Sequence, residues 1–542
     1  MAFFSNNIIL YMAVALSIIN GAFMCFASYK FFQIIQLSGY KLRGYFVWLK
    51  ETKGSYAMRM VMLSLLSIFC VLVTNALFDT YHSQELYSYI GLIFYFYFTI
   101  VFIVNLYSAP KKVPLKNTTR MTRLNIAMFI FVSIFSFLII ALSTEYLPFL
   151  KFGALCFVPL FMPFFVPFVH IVMLPIEKFI ATKYVLRAKS KLKKFSNEFI
   201  KIGITGSFGK TSTKYILNSM LSQKYKVCMS PHSFNTLPGL CKVVNDYLTL
   251  DDQVLIAEMG AKNKGDIKEL CNLIEPKYAI ITGVGNQHLS TFKTQENILN
   301  TKFELVESLK DKGGFVVFNG YDMGAKILYD RCDFVSKFLT GENDSLVKVE
   351  NFSFDENGTD ISIAIKGEQY NVHTKLIGSH NVQNIVMCAE MACRLGLNGN
   401  EIIKGIEQLQ PIPHRLEVIK TKDNVILDDS FNASVEGYKV ALEVLSKMKG
   451  KKIVVTPGLV ELGGKEYEEN KKFGLALSKV ADKVIVVNNV NFNAIKEGLD
   501  EGNFEDIYQA PTLDGAKKML QDFLEPNDTI LFENDLPDNY IW

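Results

Sequence analysis

The sequence predicts a helical membrane region followed by two α/β domains. Three observations carry that reading. Five long stretches before residue 176 contain no Asp, Glu, Lys or Arg. An apolar run, Phe199 to Ile204, passes through a glycine-bearing turn into a lysine and paired hydroxyls. Beyond it, β-like runs alternate with helical patterns to residue 542, the signature of parallel sheets covered by helices.

The uncharged stretches cover residues 5–29, 60–78, 88–108, 124–144 and 152–176. Each is close to the ~20 residues that a bilayer-spanning helix needs. An ionised side chain at mid-bilayer costs about 2.5–3.5 kcal/mol, so their absence carries weight. Phenylalanine follows the same division, with 24 of 43 before residue 176. The first intervening loop is basic (Lys30, Lys41, Arg43, Lys50, Lys53, Arg59), as are the third (Lys111 to Arg123) and the segment after the fifth stretch (Lys178 to Lys194). The second loop has only Asp79 and Glu85, and the short fourth has Glu145 and Lys151. This alternation predicts an N-terminus outside the cell membrane and everything after residue 176 in the cytoplasm. Met1 to Asn7 has no basic residue, so a cleavable signal is not expected.

The expected domains are a membrane region (1–176), a basic juxtamembrane linker against anionic headgroups (177–195), a central domain (196–411) and a smaller C-terminal domain (412–542). In the central domain, strands are expected at Gln253–Ala257, Tyr278–Thr282 and Phe315–Phe318, with helices at Asn263–Leu273 and Gln295–Leu309. Residues 346–376 read as short strands forming an antiparallel edge, and 380–396 and 399–409 as helices. In the C-terminal domain, strands are expected at Val425–Leu427, Lys452–Val455, Lys483–Val487 and Thr529–Phe532. That domain lacks G-x-G-x-x-G, so it is not expected to bind a dinucleotide. The net charge of +4 comes mostly from lysines flanking the membrane region. No stripe of basic and aromatic residues suggests nucleic acid. The nine cysteines include no C-x-x-C pair and read as reduced thiols.

The glycine-bearing turn is the main chemical signal. Gly203-Ile204-Thr205-Gly206-Ser207-Phe208-Gly209-Lys210-Thr211-Ser212 builds a phosphate cradle. Glycines let backbone N–H groups close on an anion, and the helix N-terminus adds about half a positive charge. Lys210 neutralises terminal phosphates and the Thr211 hydroxyl suits Mg²⁺. The spacing departs from G-x-x-x-x-G-K-[ST] because position 204 is Ile. Glu258 ends an apolar strand in Ala257-Glu258-Met259-Gly260, where it can hold a metal beside the phosphates. His288 closes the next strand's loop as a second metal or phosphate ligand, and Lys302 follows in a helix.

These segments resemble the Mur ligase family, ATP-dependent amide ligases of peptidoglycan precursor synthesis. The others that carry the resemblance are Gly378-Ser379-His380-Asn381-Val382-Gln383-Asn384, Pro413-His414-Arg415-Leu416-Glu417, Asp428-Asp429-Ser430-Phe431-Asn432-Ala433 and Val460-Glu461-Leu462-Gly463. The last two look most like the MurF type, which adds D-Ala-D-Ala. Ser233-Phe234-Asn235-Thr236-Leu237 is similar to a stretch of membrane-anchored members. The resemblance covers roughly 196–542. It implies that Gly206, Ser207, Gly209, Lys210, Thr211 and Ser212 hold the ATP phosphates, and that Asn381, Asn384, Arg415 and Asp429 contact adenine and ribose. Thr211 and Glu258 would hold one Mg²⁺, and His288 and Lys302 would serve a second. Lys302 matches a lysine that is carbamylated in several members. Asn235 and Thr236 match a substrate-facing stretch. The implied catalytic groups are Lys210, His288 and Lys302. The implied partners are UDP-MurNAc-tripeptide, D-Ala-D-Ala, the lipid bilayer and other membrane-bound cell-wall enzymes.

Three departures bear on the substrates. The soluble N-terminal domain that grips the nucleotide sugar in MurF-type ligases is not visible, and the membrane region stands in its place. Ser434-Val435 replaces the common Asn-Pro, and Glu533-Asn534-Asp535 stands where Lys-Gly-Ser is usual. A lipid-linked acceptor or a poly-γ-glutamyl product is therefore an alternative. A transport ATPase or nucleotide-switched receptor is the non-ligase alternative. It would need an apolar strand ending in Asp-Glu and a Leu-Ser-Gly-Gly-type loop, and the sequence has neither; it would also need intramembrane ionisable residues, and the uncharged stretches have none apart from His170.

Overall fold

Alternation of the apolar pattern decides the layers. In β1 (Ile200–Thr205), Ile202 and Ile204 face one side of a sheet. In β3 (Val254–Glu258), Val254 and Ile256 face that side and Leu255 and Ala257 the other. A strand buried on both faces must lie between two helical layers. The computed structural model describes residues 7–534, except 53, 79–83, 109–113, 147–150, 232, 286–288, 343, 432–433 and 461. The chain divides into a unit up to Ala181 and a unit from Thr182 onward.

Among the described residues, five segments are long and apolar enough to cross a membrane: Asn7–Ala27, Ser55–Val73, Tyr89–Tyr107, Thr119–Tyr146 and Phe152–Leu192. They coincide with the five uncharged stretches. The first basic loop holds two further helices, Tyr29–Leu37 and Leu42–Glu51, which the sequence reading did not anticipate. Polar groups among the first unit's helices pair with each other. Tyr95 Oη donates to Asn20 Oδ1 (2.6 Å), and Asn20 Nδ2 donates to Ser136 Oγ (2.9 Å). Pro167 cannot donate to the Pro163 carbonyl one turn earlier, and Tyr45 Oη donates to that carbonyl instead (2.7 Å). His170 Nε2 lies 3.1 Å from the Tyr40 carbonyl. The last helix runs Val158–Leu192, so most of the expected linker is helical. In the second unit, Lys191 Nζ on that helix donates to the Asn245 carbonyl (3.0 Å).

The first sheet of the second unit has the order β2-β3-β1-β4-β5-β6 and is wholly parallel. Its other strands are β2 (Val227–Met229), β4 (Tyr278–Ile281), β5 (Phe315–Phe318) and β6 (Ser336–Leu339). One face packs on helices Asp266–Ile274 and Gln295–Glu307, the other on Lys210–Leu221 and Ser379–Arg394. Strands β7 (Val347–Asp355), β8 (Gly358–Ile365) and β9 (Glu368–Thr374) form a separate antiparallel sheet, not the expected edge of the main one. Ile361, Ile363, Ile365 and Val372 turn its apolar face onto the Ser379–Arg394 helix, a core that a flat extension of the main sheet would not cover.

The last sheet has the order β10-β11-β15-β12-β13-β14. Its strands are β10 (Glu417–Lys420), β11 (Val425–Asp429), β12 (Lys452–Thr456), β13 (Lys483–Val487), β14 (Ile507–Ala510) and β15 (Thr529–Glu533). Only β10 is antiparallel. The sequence reading missed β10 and β14, which lie at the two edges and are partly exposed. Insertion of β15 between β11 and β12 puts the carboxyl ends of β11 and β15 side by side, where ligands of open α/β sheets bind.

Candidate functional site

The glycine-bearing turn expected to cradle phosphate is pinned at the carboxyl end of β1. Gly206 has no room for a Cβ, which would collide with Thr282 Oγ1. Ser207 N donates to the Gly283 carbonyl (2.6 Å), and Ser207 Oγ to the Gly285 carbonyl (3.0 Å). Thr282 Oγ1 donates to the Phe208 carbonyl (2.5 Å). Gly209 sits at the helix N-cap with φ +79°, a conformation that favours glycine. The helix Lys210–Leu221 then begins, and its first-turn N–H groups, including those of Thr211 and Ser212, point along the axis toward the cradle. Lys210 Nζ donates to the carbonyls of Gly206 (2.7 Å) and Ser207 (2.8 Å). Burial pushes the Lys210 ammonium down to about 8, with Glu258 opposing and Arg415 adding to the fall.

Glu258 is the centre of a tight polar cluster and is 1% exposed. Thr211 Oγ1 lies 3.3 and 3.2 Å from its two oxygens. Lys214 Nζ donates to Oε2 (3.0 Å), and Asn235 Nδ2 donates to Oε1 (3.0 Å). Burial alone would raise the Glu258 carboxyl; Lys214, Lys210 and the Asn235 amide outweigh it and hold the group below its ordinary value. Asn235, expected to face substrate, is thus bonded to the proposed metal-holding carboxylate. Thr236 beside it is the N-cap of the helix Leu237–Lys242. Lys214 was not singled out from sequence. Its position four residues after Lys210, on the same helical face, was the available signal.

The helix Ser379–Arg394 runs beside the cradle. Thr213 Oγ1 donates to Asn384 Oδ1 (3.3 Å), and a Cβ on Gly209 would stand 3.2 Å from that oxygen. Asn381 Nδ2 donates to the Ile377 carbonyl (2.9 Å), and its buried Oδ1 has no partner among the described residues. The C-terminal domain supplies Arg415, whose guanidinium lies 4.2 Å from the Phe431 ring centroid. Burial lowers the Arg415 guanidinium, while Asp429 and then Glu258 oppose the fall. Burial pushes the Asp429 carboxyl up to about 6, opposed by Arg415 and the Leu416 N–H (3.1 Å). Arg415 thereby links the two domains electrostatically across the cluster.

Lys302, on the helix Gln295–Glu307, is 3% exposed. Burial holds its amine well below the ordinary lysine value, and the Lys210 cation adds to this. His288 lies outside the described residues. Among the described residues, no three His, Cys, Asp or Glu side chains stand together as a metal cluster. Thr211 and Glu258 offer one hydroxyl and one carboxylate. That set fits Mg²⁺, which keeps several waters and shares its shell with phosphates. Glu533 entered the sequence reading only as part of the stretch that replaces the usual Lys-Gly-Ser. It is the register partner of Asp429, fully buried, and neither carboxylate oxygen has a hydrogen-bond partner among the described residues.

Residues 204–392 match the Mur ligase middle domain, and residues 414–533 the Mur ligase glutamate ligase domain. The two matches together cover more than half of the chain. The chain belongs to the Mur ligase family. Among Mur ligases, it is 30% identical over 280 residues to the UDP-N-acetylmuramoyl-tripeptide–D-alanyl-D-alanine ligase of Bacillus subtilis, a match covering 51% of this chain and 60% of that protein. The same-named ligase of Escherichia coli is 26% identical over 291 residues, covering 53% and 64% respectively. The chain thus spans less than two thirds of either ligase. The MurF ligase from Thermotoga maritima, solved in complex with ADP, superposes with a TM-score of 0.58 at 27% identity, over 66% of this chain and 80% of that one. MurF from Acinetobacter baumannii shares the fold, with a TM-score of 0.60 at 23% identity over 66% and 77%.

Proposed function

We propose that this Mur ligase is a membrane-anchored MurF-type enzyme that joins D-Ala-D-Ala to UDP-MurNAc-tripeptide with ATP. The observation that carries this reading is the cluster around Glu258. There Thr211 from the cradle, Asn235 from the central domain and the field of Arg415 from the C-terminal domain converge on one buried carboxylate. The names of the relatives point to the same substrates.

A carboxylate resists attack by an amine, so it is activated first. The peptide carboxylate takes the γ-phosphoryl group of ATP and releases ADP. The amine of the dipeptide then attacks the acyl phosphate, an amide forms and phosphate leaves. Ser207, Gly209, Ser212 and the other cradle residues orient the polyphosphate, while Lys210 and Arg415 offset its charge. Asn381, Asn384 and Asp429 would contact the adenosine. Thr211 and Glu258 would hold Mg²⁺, which would supply charge neutralisation for the phosphates. His288 and Lys302 would serve a second ion, with Lys302 carbamylated into an anion. Burial, which lowers the basicity of the Lys302 amine, favours the neutral form that reacts with CO₂.

The catalytic domains are read as cytoplasmic and the first unit as an anchor in the cell membrane that can also dock other cell-wall enzymes. A lipid-linked acceptor is the second reading, favoured by the five apolar segments. Phosphate release from ATP, measured with full-length protein in detergent, tests both. The expected result is release that needs both UDP-MurNAc-tripeptide and D-Ala-D-Ala, with a pentapeptide product by mass spectrometry. No turnover with the soluble acceptor, but turnover with the lipid-linked one, would replace the first reading by the second.

A further inference from the structure

Lys214 is a fully buried basic side chain that has no role in the reaction outlined above. It lies in the helix Lys210–Leu221, one turn beyond the cradle lysine, and forms a 3.0 Å ion pair with Glu258. Burying two charges is costly, and a buried pair is often no more stabilising than apolar residues of the same size. Stability alone is therefore a poor reason for this pair.

The surroundings supply another reason. Glu258 is the one carboxylate whose bonds to Thr211, Lys214 and Asn235 make up the cluster. Lys214, Lys210 and Arg415 all act on it or are acted on by it. Lys210, Lys214 and Arg415 stand against Glu258 and Asp429, three cationic side chains to two carboxylates, which leaves the pocket a positive balance. Such a pocket attracts a polyphosphate and repels a bare divalent cation. Both Glu258 oxygens are also engaged, Oε2 by Lys214 and Oε1 by Asn235. Magnesium dehydrates reluctantly and gains little from a single carboxylate that is already neutralised.

We propose that Lys214 is a positioning residue that neutralises Glu258, so that the divalent cation enters together with the nucleotide phosphates and not alone. The inference rests on the reading of Thr211 and Glu258 as the metal-holding pair. Its functional consequence is order. Nucleotide and metal arrive as one complex, and a protein without nucleotide stays metal-free at cytoplasmic concentrations.

The test titrates Mn²⁺ into full-length protein in detergent, with free Mn²⁺ followed by electron paramagnetic resonance and no nucleotide present. Wild type is expected to bind weakly. Lys214→Gln, which keeps a donor but removes the charge, is expected to bind Mn²⁺ at least about tenfold more tightly, because a cation beside the site has gone. Lys214→Arg should behave as wild type, and adding Glu258→Gln to Lys214→Gln should abolish the gain. Lys214→Met serves if the glutamine variant does not melt cooperatively. A misfolded variant would not produce a gain that depends on Glu258. Wild-type Mn²⁺ affinity in a folded charge-removing variant overturns the proposal. A separate arm tests the underlying reading. If Glu258→Gln leaves Mn²⁺ binding in the presence of ADP unchanged, Glu258 is not a metal ligand and both readings fall. If it weakens that binding while Lys214→Gln gains nothing, only the role of Lys214 falls.

Discussion

At the residue scale, the unusual groups are buried ionisable side chains at the ends of strands and on the helices behind them. Glu533 has no hydrogen-bond partner among the described residues, and burial, then the Asp429 charge, pushes its carboxyl well above the ordinary value of 4.5. The folded state therefore binds a proton that the unfolded state releases above that value. Stability falls as pH rises from about 4.5 toward the folded value. Glu533→Gln cannot ionise. The apparent melting temperature of wild type should drop more steeply between pH 5 and 8 than that of the variant; parallel curves would show that Glu533 does not titrate differently on folding. Lys302 makes a second prediction. Intact-protein or peptide mass spectrometry under CO₂, with the carbamate trapped by alkylation, should show the adduct on Lys302 and lose it in Lys302→Ala. The variant should lose at least about tenfold in turnover, because the second ion would lack its anionic ligand. An active wild type with unmodified Lys302 would remove the carbamate.

At the element scale, the strand–turn–helix of β1 and the Lys210–Leu221 helix was legible because its signals are local. Gly209 takes a positive φ that a side chain resists, and the apolar alternation of β1 marks a strand buried on both faces. Gly209→Ala should cost about 1–2 kcal/mol in backbone strain. Its added Cβ would also press on Asn384, which stands 3.2 Å away. The expected outcome is a lowered melting temperature and an ADP affinity reduced at least severalfold by calorimetry. Unchanged affinity would mean that the turn does not shape the phosphate site. Edge strands β10 and β14 were not legible, since half-exposed four-residue runs carry little periodicity. The partnership of β7–β9 with the Ser379–Arg394 helix escaped for another reason. Alternation marks which face is apolar, but not which element will cover it.

For the whole molecule, charge patterning predicts that everything after residue 176 lies in the cytoplasm. A reporter fused after residue 195 should give a cytoplasmic signal, and reversal of the basic loops at Lys111–Arg123 and Lys178–Lys194 should disturb it. A periplasmic signal from the unaltered chain would overturn the orientation. By itself the sequence determined five apolar segments, the order of the α/β domains and the glycine-bearing strand–turn–helix. Each depends on residues within about 20 positions of one another, where spacing and chemistry act directly. Only the tertiary structure decided that Lys214 and Asn235 meet on Glu258, that Arg415 lies within the electrostatic reach of that carboxylate, and that Glu533, with no hydrogen-bond partner among the described residues, is the register partner of Asp429. The residues of these pairs stand 23 to more than 150 positions apart. Sheet order, and not local pattern, sets Asp429 and Glu533 at the carboxyl ends of adjacent strands.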